Sequence, residues 1–314
     1  METKQKYFFV PIQLLAGLHT EKKKTLRSCA MYGVYSLTQT KKVTNKEERT
    51  FLEQFVYAYY NDPDSLTMEL AEKMEQHIDD GMFHPDDDRK GFAAGKGRKL
   101  NVDREIHQLD RIFEDDKEFK DMVIKFGKAK DAFQFYGMKE DFKDIFLWAM
   151  EMEKQIPPKS PMVMIGQDKL REFLEDDTKT EFEIMTFAIY LAIRSLLGTD
   201  KMKFTTKDMI LARAFGFRNI KEMKKNPPDL YEKYSKRYWM DKCLGEIRGG
   251  WDIITYSSNR DGLHGIYIGN GFHLTNKDMM LAIEKKRKAK DTKSHNAEMK
   301  RLRDEVRKEL NYNG

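Results

Sequence analysis

Asp86, Asp87 and Asp88 are the densest carboxylates in the chain and the first residues a divalent metal could use. Side chains on three adjacent residues point in different directions, and no second carboxylate cluster is anchored to them. A solvated acidic loop is the reading they support. Gly91-Phe92-Ala93-Ala94-Gly95-Lys96-Gly97 has the glycine and lysine content of a loop that cradles phosphate. It is one residue short of that spacing and lacks the Ser or Thr that would hold Mg²⁺, so it reads as a basic loop able at most to touch phosphate. The seven histidines form no HxH or HExxH pattern. Cys29 and Cys243 form no CxxC pair and read as two reduced, buried thiols. Nothing assembles a Ser/His/Asp or Cys/His arrangement. The expectation is a protein that is not an enzyme and needs no cofactor.

Charge points elsewhere. The net charge over 314 residues is only +5, but it is unevenly spread. Residues 201–250 hold 13 Lys/Arg against 6 Asp/Glu, and 284–310 hold 11 against 6. These two segments carry +7 and +5, which leaves −7 for the rest of the chain. A mildly acidic body with two basic regions fits binding to a polyanion, although solvated basic helices would give the same counts. Hydrophobic residues at 40% provide for real cores beneath a surface fed by 35% charged residues. The apolar run Tyr7–Leu18 is too short to span a bilayer and has no small-residue cleavage site, so a soluble, unprocessed, cytoplasmic protein without a membrane partner is expected.

The elements that would position these charges are mostly helices. Apolar residues at three- and four-residue spacing predict helices over 25–37, 46–60 and 65–80, with Phe51, Phe55 and Tyr59 as one stripe and Leu66, Leu70 and Met74 as another. A loop is expected over 83–99, then helices over 103–113, 117–126 and 139–154. Pro157, Pro158 and Pro161 cannot continue a helix and set the expected domain boundary. The expected division is 1–155, a linker at 156–161, a second domain at 162–274 and a basic helix at 275–314. Met162–Ile165 reads as a short strand, Phe182–Leu197 as an apolar helix stopped by Gly198, and Thr206–Phe215 as a helix stopped by Gly216. Asn219–Lys225 reads as an additional helix and Ser235–Arg248 as the next. Asp252–Tyr256 and Leu263–Ile268 form a hairpin joined by a Gly-containing loop. Thr275, with Asp278 three residues on, starts the long basic helix. Met299, Leu302 and Val306 give that helix a short stripe, enough for light contact or weak self-association. Gly265-Ile266-Tyr267-Ile268-Gly269 carries the letters of GIY-YIG nucleases, but as one fused pentapeptide rather than two tripeptides on neighbouring strands, and it reads as the second hairpin strand.

The order helix, short strand, helix, helix, hairpin resembles that of winged-helix proteins. Thr205–Phe217 looks like their second helix, with Thr206 as its cap and Leu211-Ala212 ahead of Gly216. Ser235–Ile247 looks like their recognition helix, with Met240, Cys243, Leu244 and Ile247 on the buried face. Gly250-Trp251-Asp252-Ile253-Ile254 is similar to the usual approach to the wing. Similar modules occur in phage and plasmid replication initiators, replisome organisers and many repressors. The insertion of 218–234 departs from the compact pattern and adds Lys221, Lys224 and Lys225 to the residues that could face DNA.

The fold expected is therefore mainly α with small β-hairpins and a winged helix-turn-helix in the C-terminal half. Phe8–Ile12 and Met162–Ile165 each precede a polar stretch and a helix, which would make a second winged-helix-like module in the N-terminal half. The resemblance implies sequence-specific binding of double-stranded DNA. The implied contacts are Thr206, Lys207, Lys221, Lys224, Lys225, Ser235, Lys236, Arg237, Tyr238, Lys242, Arg260 and His264. Replication initiation or replisome organisation for a phage or plasmid-like element, with replication proteins as partners and a homodimer as an option, is the first reading. A transcriptional regulator and an interaction scaffold in a nucleoprotein assembly stand beside it.

Overall fold

The computed structural model of the chain describes residues 7–37, 45–85, 100–136, 142–258 and 265–312. The protein is mainly helical with two small antiparallel sheets, of two and three strands. It divides into two compact units: Met1–Ser195 with Ala212–Asn226, and Leu196–Leu211 with Pro227–Gly314.

The first unit opens with β1 (Tyr7–Pro11), followed by a turn of 3₁₀ helix and α1 (Lys22–Leu37). Then come α2 (Asn45–Asn61), α3 (Met68–Asp79), α4 (Val102–Asp115), α5 (Lys117–Tyr136) and α6 (Phe142–Gln155). Across the proline-rich segment lie β2 (Met162–Gly166), α7 (Gln167–Glu175) and most of α8 (Glu181–Leu197). β1 and β2 pair antiparallel from Tyr7 opposite Gly166 to Pro11 opposite Met162. The Ile12 amide extends the ladder to the Pro161 carbonyl at 2.9 Å, and Gln13 Nε2 donates to Ser160 Oγ at 2.8 Å. Three prolines do end the helix before them, but the chain turns back and joins the first strand. The expected boundary at 156–161 thus differs from the observed one, which cuts α8 near its end and α9 near its middle.

The same pairing accounts for the expected repeat. The two similar strands are partners in one sheet, and β1 is the only strand among the described residues of 1–155. Among the described residues of 1–155 no hairpin accompanies these helices, so the winged-helix-like module expected there lacks its wing. The core of this half is helical, with Phe55 of α2 edge-on to Phe119 and Phe126 of α5 at 6.3 and 6.1 Å. α5 continues ten residues past the expected Phe126 end. Gly127 sits where a Cβ would strike the Phe51 carbonyl, so this glycine marks a close helix crossing rather than a stop.

The second unit holds β3 (Met202–Thr205), the start of α9 (Lys207–Ala214), α11 (Tyr231–Ser235), α12 (Arg237–Gly250), β4 (Ile253–Ser258), β5 (Gly265–Asn270) and α13 (Asn276–Tyr312). The short α10 (Ile220–Lys225) belongs to the first unit. The strand order is β3-β5-β4, all antiparallel. Strand alternation gives the sheet two unlike faces. One bears Thr205, Thr255, Ser257, Ile266 and Ile268; the other bears Met202, Phe204, Ile254, Tyr256 and Tyr267. Met279 and Ile283 of α13 pack on the second face, in a cluster with Tyr267, Met202, Ile254 and Tyr256. The Phe204 ring covers Gly265, leaving no room there for a Cβ.

Both helix starts marked in the sequence are capped as the residue types require. Thr206 Oγ1 accepts from the Met209 amide at 3.2 Å. Thr275 and Asp278 exchange side-chain-to-amide bonds at 3.0 and 3.2 Å in a reciprocal capping box, and the Thr275 hydroxyl, donating at 2.6 Å, together with the Thr275 amide holds the Asp278 carboxyl below its usual pKa. Gly216, at φ 83°, turns the chain out of α9.

Candidate functional site

The amphipathic pattern of α12 decides what it can present. Met240, Cys243, Leu244 and Ile247 are buried, the face expected from their spacing. The turns between them project Lys236, Arg237, Tyr238, Asp241 and Lys242 outward. Arg237 is 80% exposed and, among the described residues, pairs only with Asp241 one turn on, at 3.2 Å. An exposed i,i+4 pair contributes about 0.3–0.5 kcal/mol and is easily exchanged for a stronger anion. Lys236 reaches Glu232 at 3.8 Å, also in the open.

Aromatic rings are interleaved with these charges. Lys233 Nζ lies 4.5 Å from the Trp239 ring centre, and Lys242 Nζ lies 5.6 Å from it. Tyr238, 68% exposed, meets Trp239 edge-on at 5.3 Å. Ring contact orders two long cations that would otherwise sweep through solvent. Trp239 and Lys233 were not singled out from the sequence. Lys242 lies three residues after Trp239 on the same helix, a spacing that is legible; Lys233 lies six before it on a separate helix, and no periodicity announces that contact.

α12 starts without a side-chain cap and without an acidic residue in its first turn. Its leading amides and positive dipole end therefore face the same region as Lys236 and Arg237. Beside it, Lys207, Arg237, Met240, Asp241, Ser257, Gly265 and Ile266 line a cleft of about 220 Å³. The cleft brings the first turns of α12 against the end of the β4–β5 hairpin.

The other expected contact residues divide clearly. Thr206 is exposed but serves as the cap of α9. Lys207 donates to the Ser235 carbonyl, tying α9 to the end of α11, so its charge is partly engaged while it still lines the cleft. Ser235 Oγ donates to the Glu232 carbonyl at 2.9 Å and closes α11. Lys221, Lys224 and Lys225 are exposed on α10, in the first unit rather than with α12. Arg260 and His264 lie outside the described residues, as do Asp86–Asp88 and Gly91–Gly97. Among the described residues no group of three His, Cys, Asp or Glu could hold a metal ion. No described helix is long and apolar enough to cross a membrane. No family model, curated protein or solved structure matches the chain.

Proposed function

We propose that the second unit docks double-stranded DNA in the manner of a winged helix, with α12 as the helix placed in the major groove. The observation that carries this reading is the exposed face of α12, where Lys236, Arg237, Tyr238 and Lys242 stand around an uncapped, cation-flanked helix start. The order of elements and the strand order β3-β5-β4 support it, since a hairpin whose second strand is central stands beside the helix that follows β3 and α9. The major groove, about 12 Å wide, admits one helix. Arg237 and Lys242 would read base edges, Lys236 and the helix amides would hold phosphate, and the cleft at Lys207 and Ser257 would take the strand that passes between helix and hairpin. The protein acts by binding, without chemistry. Replication initiation or replisome organisation is the role we favour, and it rests on the large helical first unit alone, since the repeat that also spoke for it is not found.

The test is fluorescence anisotropy of duplex DNA at several salt concentrations. If about five phosphates are neutralised, log K falls against log salt with a slope of roughly −4 to −5. Arg237→Ala and Lys242→Ala should each weaken binding by about 1–3 kcal/mol with the fold intact. Leu244→Ala, which empties a buried site, should instead destabilise the second unit by about 2–5 kcal/mol. A flat salt response, or unchanged affinity in both charge variants, overturns the reading.

A further inference from the structure

We infer that the second half of α13 pairs in parallel with the same helix of a second copy of this chain, forming a short two-stranded coiled coil. The helix runs 37 residues, about 55 Å. From Glu284 to Glu305 every described side chain is exposed. A polar helix of this length standing alone in water has little to stabilise it, and packing of one face against a partner is the usual remedy.

One face is suited to it. With Met299 at position a of a heptad, Leu302 falls at d, and Thr292 and His295 occupy the preceding a and d. Met299 and Leu302 are 40% and 49% exposed. At about 100° per residue, this seam lies roughly 150–160° around the helix from Met279 and Ile283, which face the sheet. The seam therefore points away from the surface its own chain covers. Lys285 and Lys288 occupy a and d one heptad earlier and confine the pairing to the end of the helix.

Charge selects both the occupant and its direction. Glu284, Asp291, Glu298 and Glu305 all fall at g. In an antiparallel pair g faces g, and these carboxylates would oppose one another. In a parallel pair g faces e of the next heptad, and the e positions are Ala289, Asn296, Arg303 and Leu310. Glu298 then meets Arg303 of the second copy, twice by symmetry. Within its own chain the helix forms the pair Arg301–Glu305 at 3.1 Å, while Glu298 and Arg303 have no ion-pair partner among the described residues.

Sedimentation equilibrium of the full chain without DNA tests this independently of any nucleic-acid role. A concentration-dependent monomer–dimer equilibrium is expected. Leu302→Asp should weaken it about tenfold or more. Glu298→Arg and Arg303→Glu should each weaken it, and the two together should restore it, a pattern that surface changes without pairing cannot give. Leu302→Cys should crosslink two chains on mild oxidation, cleanly, because Cys29 and Cys243 are buried. A monomer at all concentrations, a dimer indifferent to Leu302→Asp, or a double exchange that fails to restore pairing overturns the inference.

Discussion

Asp176 illustrates how much a single turn residue can do between two helices. Its carboxylate accepts from both the hydroxyl and the amide of Thr178, at 2.6 and 2.9 Å, and faces Lys179 at 3.3 Å. Those bonds, the Thr178 hydroxyl first, draw its pKa down to about 2. The folded value lies below the unfolded one, so the contribution is present above about pH 4 and is lost as pH falls toward 2. Asp176→Asn should therefore lower the urea midpoint at neutral pH, and the gap from the parent should close as the pH drops through that window. A gap that persists at pH 2 would assign the effect to shape rather than charge. Residues of this local kind were the most legible in the sequence. Thr206, Thr275 and Asp278 announce helix starts because their partners lie three residues away. The four buried residues of α12 were legible because helical spacing alone sorts them. Lys207 was not: its carbonyl partner, Ser235, lies 28 positions on, and its bond depends on a fold rather than a motif.

At the level of elements, regular periodicity was readable and exceptions to it were not. The hairpin and α12 fall within a few residues of where their patterns place them. α7 leaves no period in the sequence, because Leu170 and Phe173 are its only fully buried hydrophobic residues. α5 was cut short at Gly127, whose role is set by the backbone of another helix. The basic C-terminal arm also differs from its expected form, since its first two turns close one face of the sheet through Met279 and Ile283. Removal of the residues after Ile283 should thus leave the melting temperature of the second unit nearly unchanged. Compared at concentrations where the chain is monomeric, it should weaken binding to all duplexes by a similar factor, because basic side chains outside the pairing seam attract phosphate without reading bases. Calorimetry with gel-shift competition measures both; a large drop in melting temperature would place buried contacts further along the arm.

At the level of the molecule, pairing between distant segments governs. The proline-rich segment has the composition of a linker, yet strands on either side of it are bonded to each other, and no local pattern could have revealed that partnership. A fragment ending at residue 155 should consequently lack the partner of β1 and give broad, weakly cooperative melting. A fragment ending at residue 226, which contains the whole first unit, should melt cooperatively at lower denaturant than the full chain or near it. Equal cooperativity in the shorter fragment would show that β1 does not need β2.

The β1–β2 pair also sets a timetable for the growing polypeptide. A ribosome adding about 5–20 residues per second takes on the order of ten to thirty seconds to travel from one strand to the other. Throughout that interval Phe8 and Val10, both buried in the finished protein, belong to an open strand edge with no mate. Chaperone supply and translation speed should therefore govern yield in the cell, and slow codons ahead of residue 162 would lengthen the hazardous wait rather than help folding.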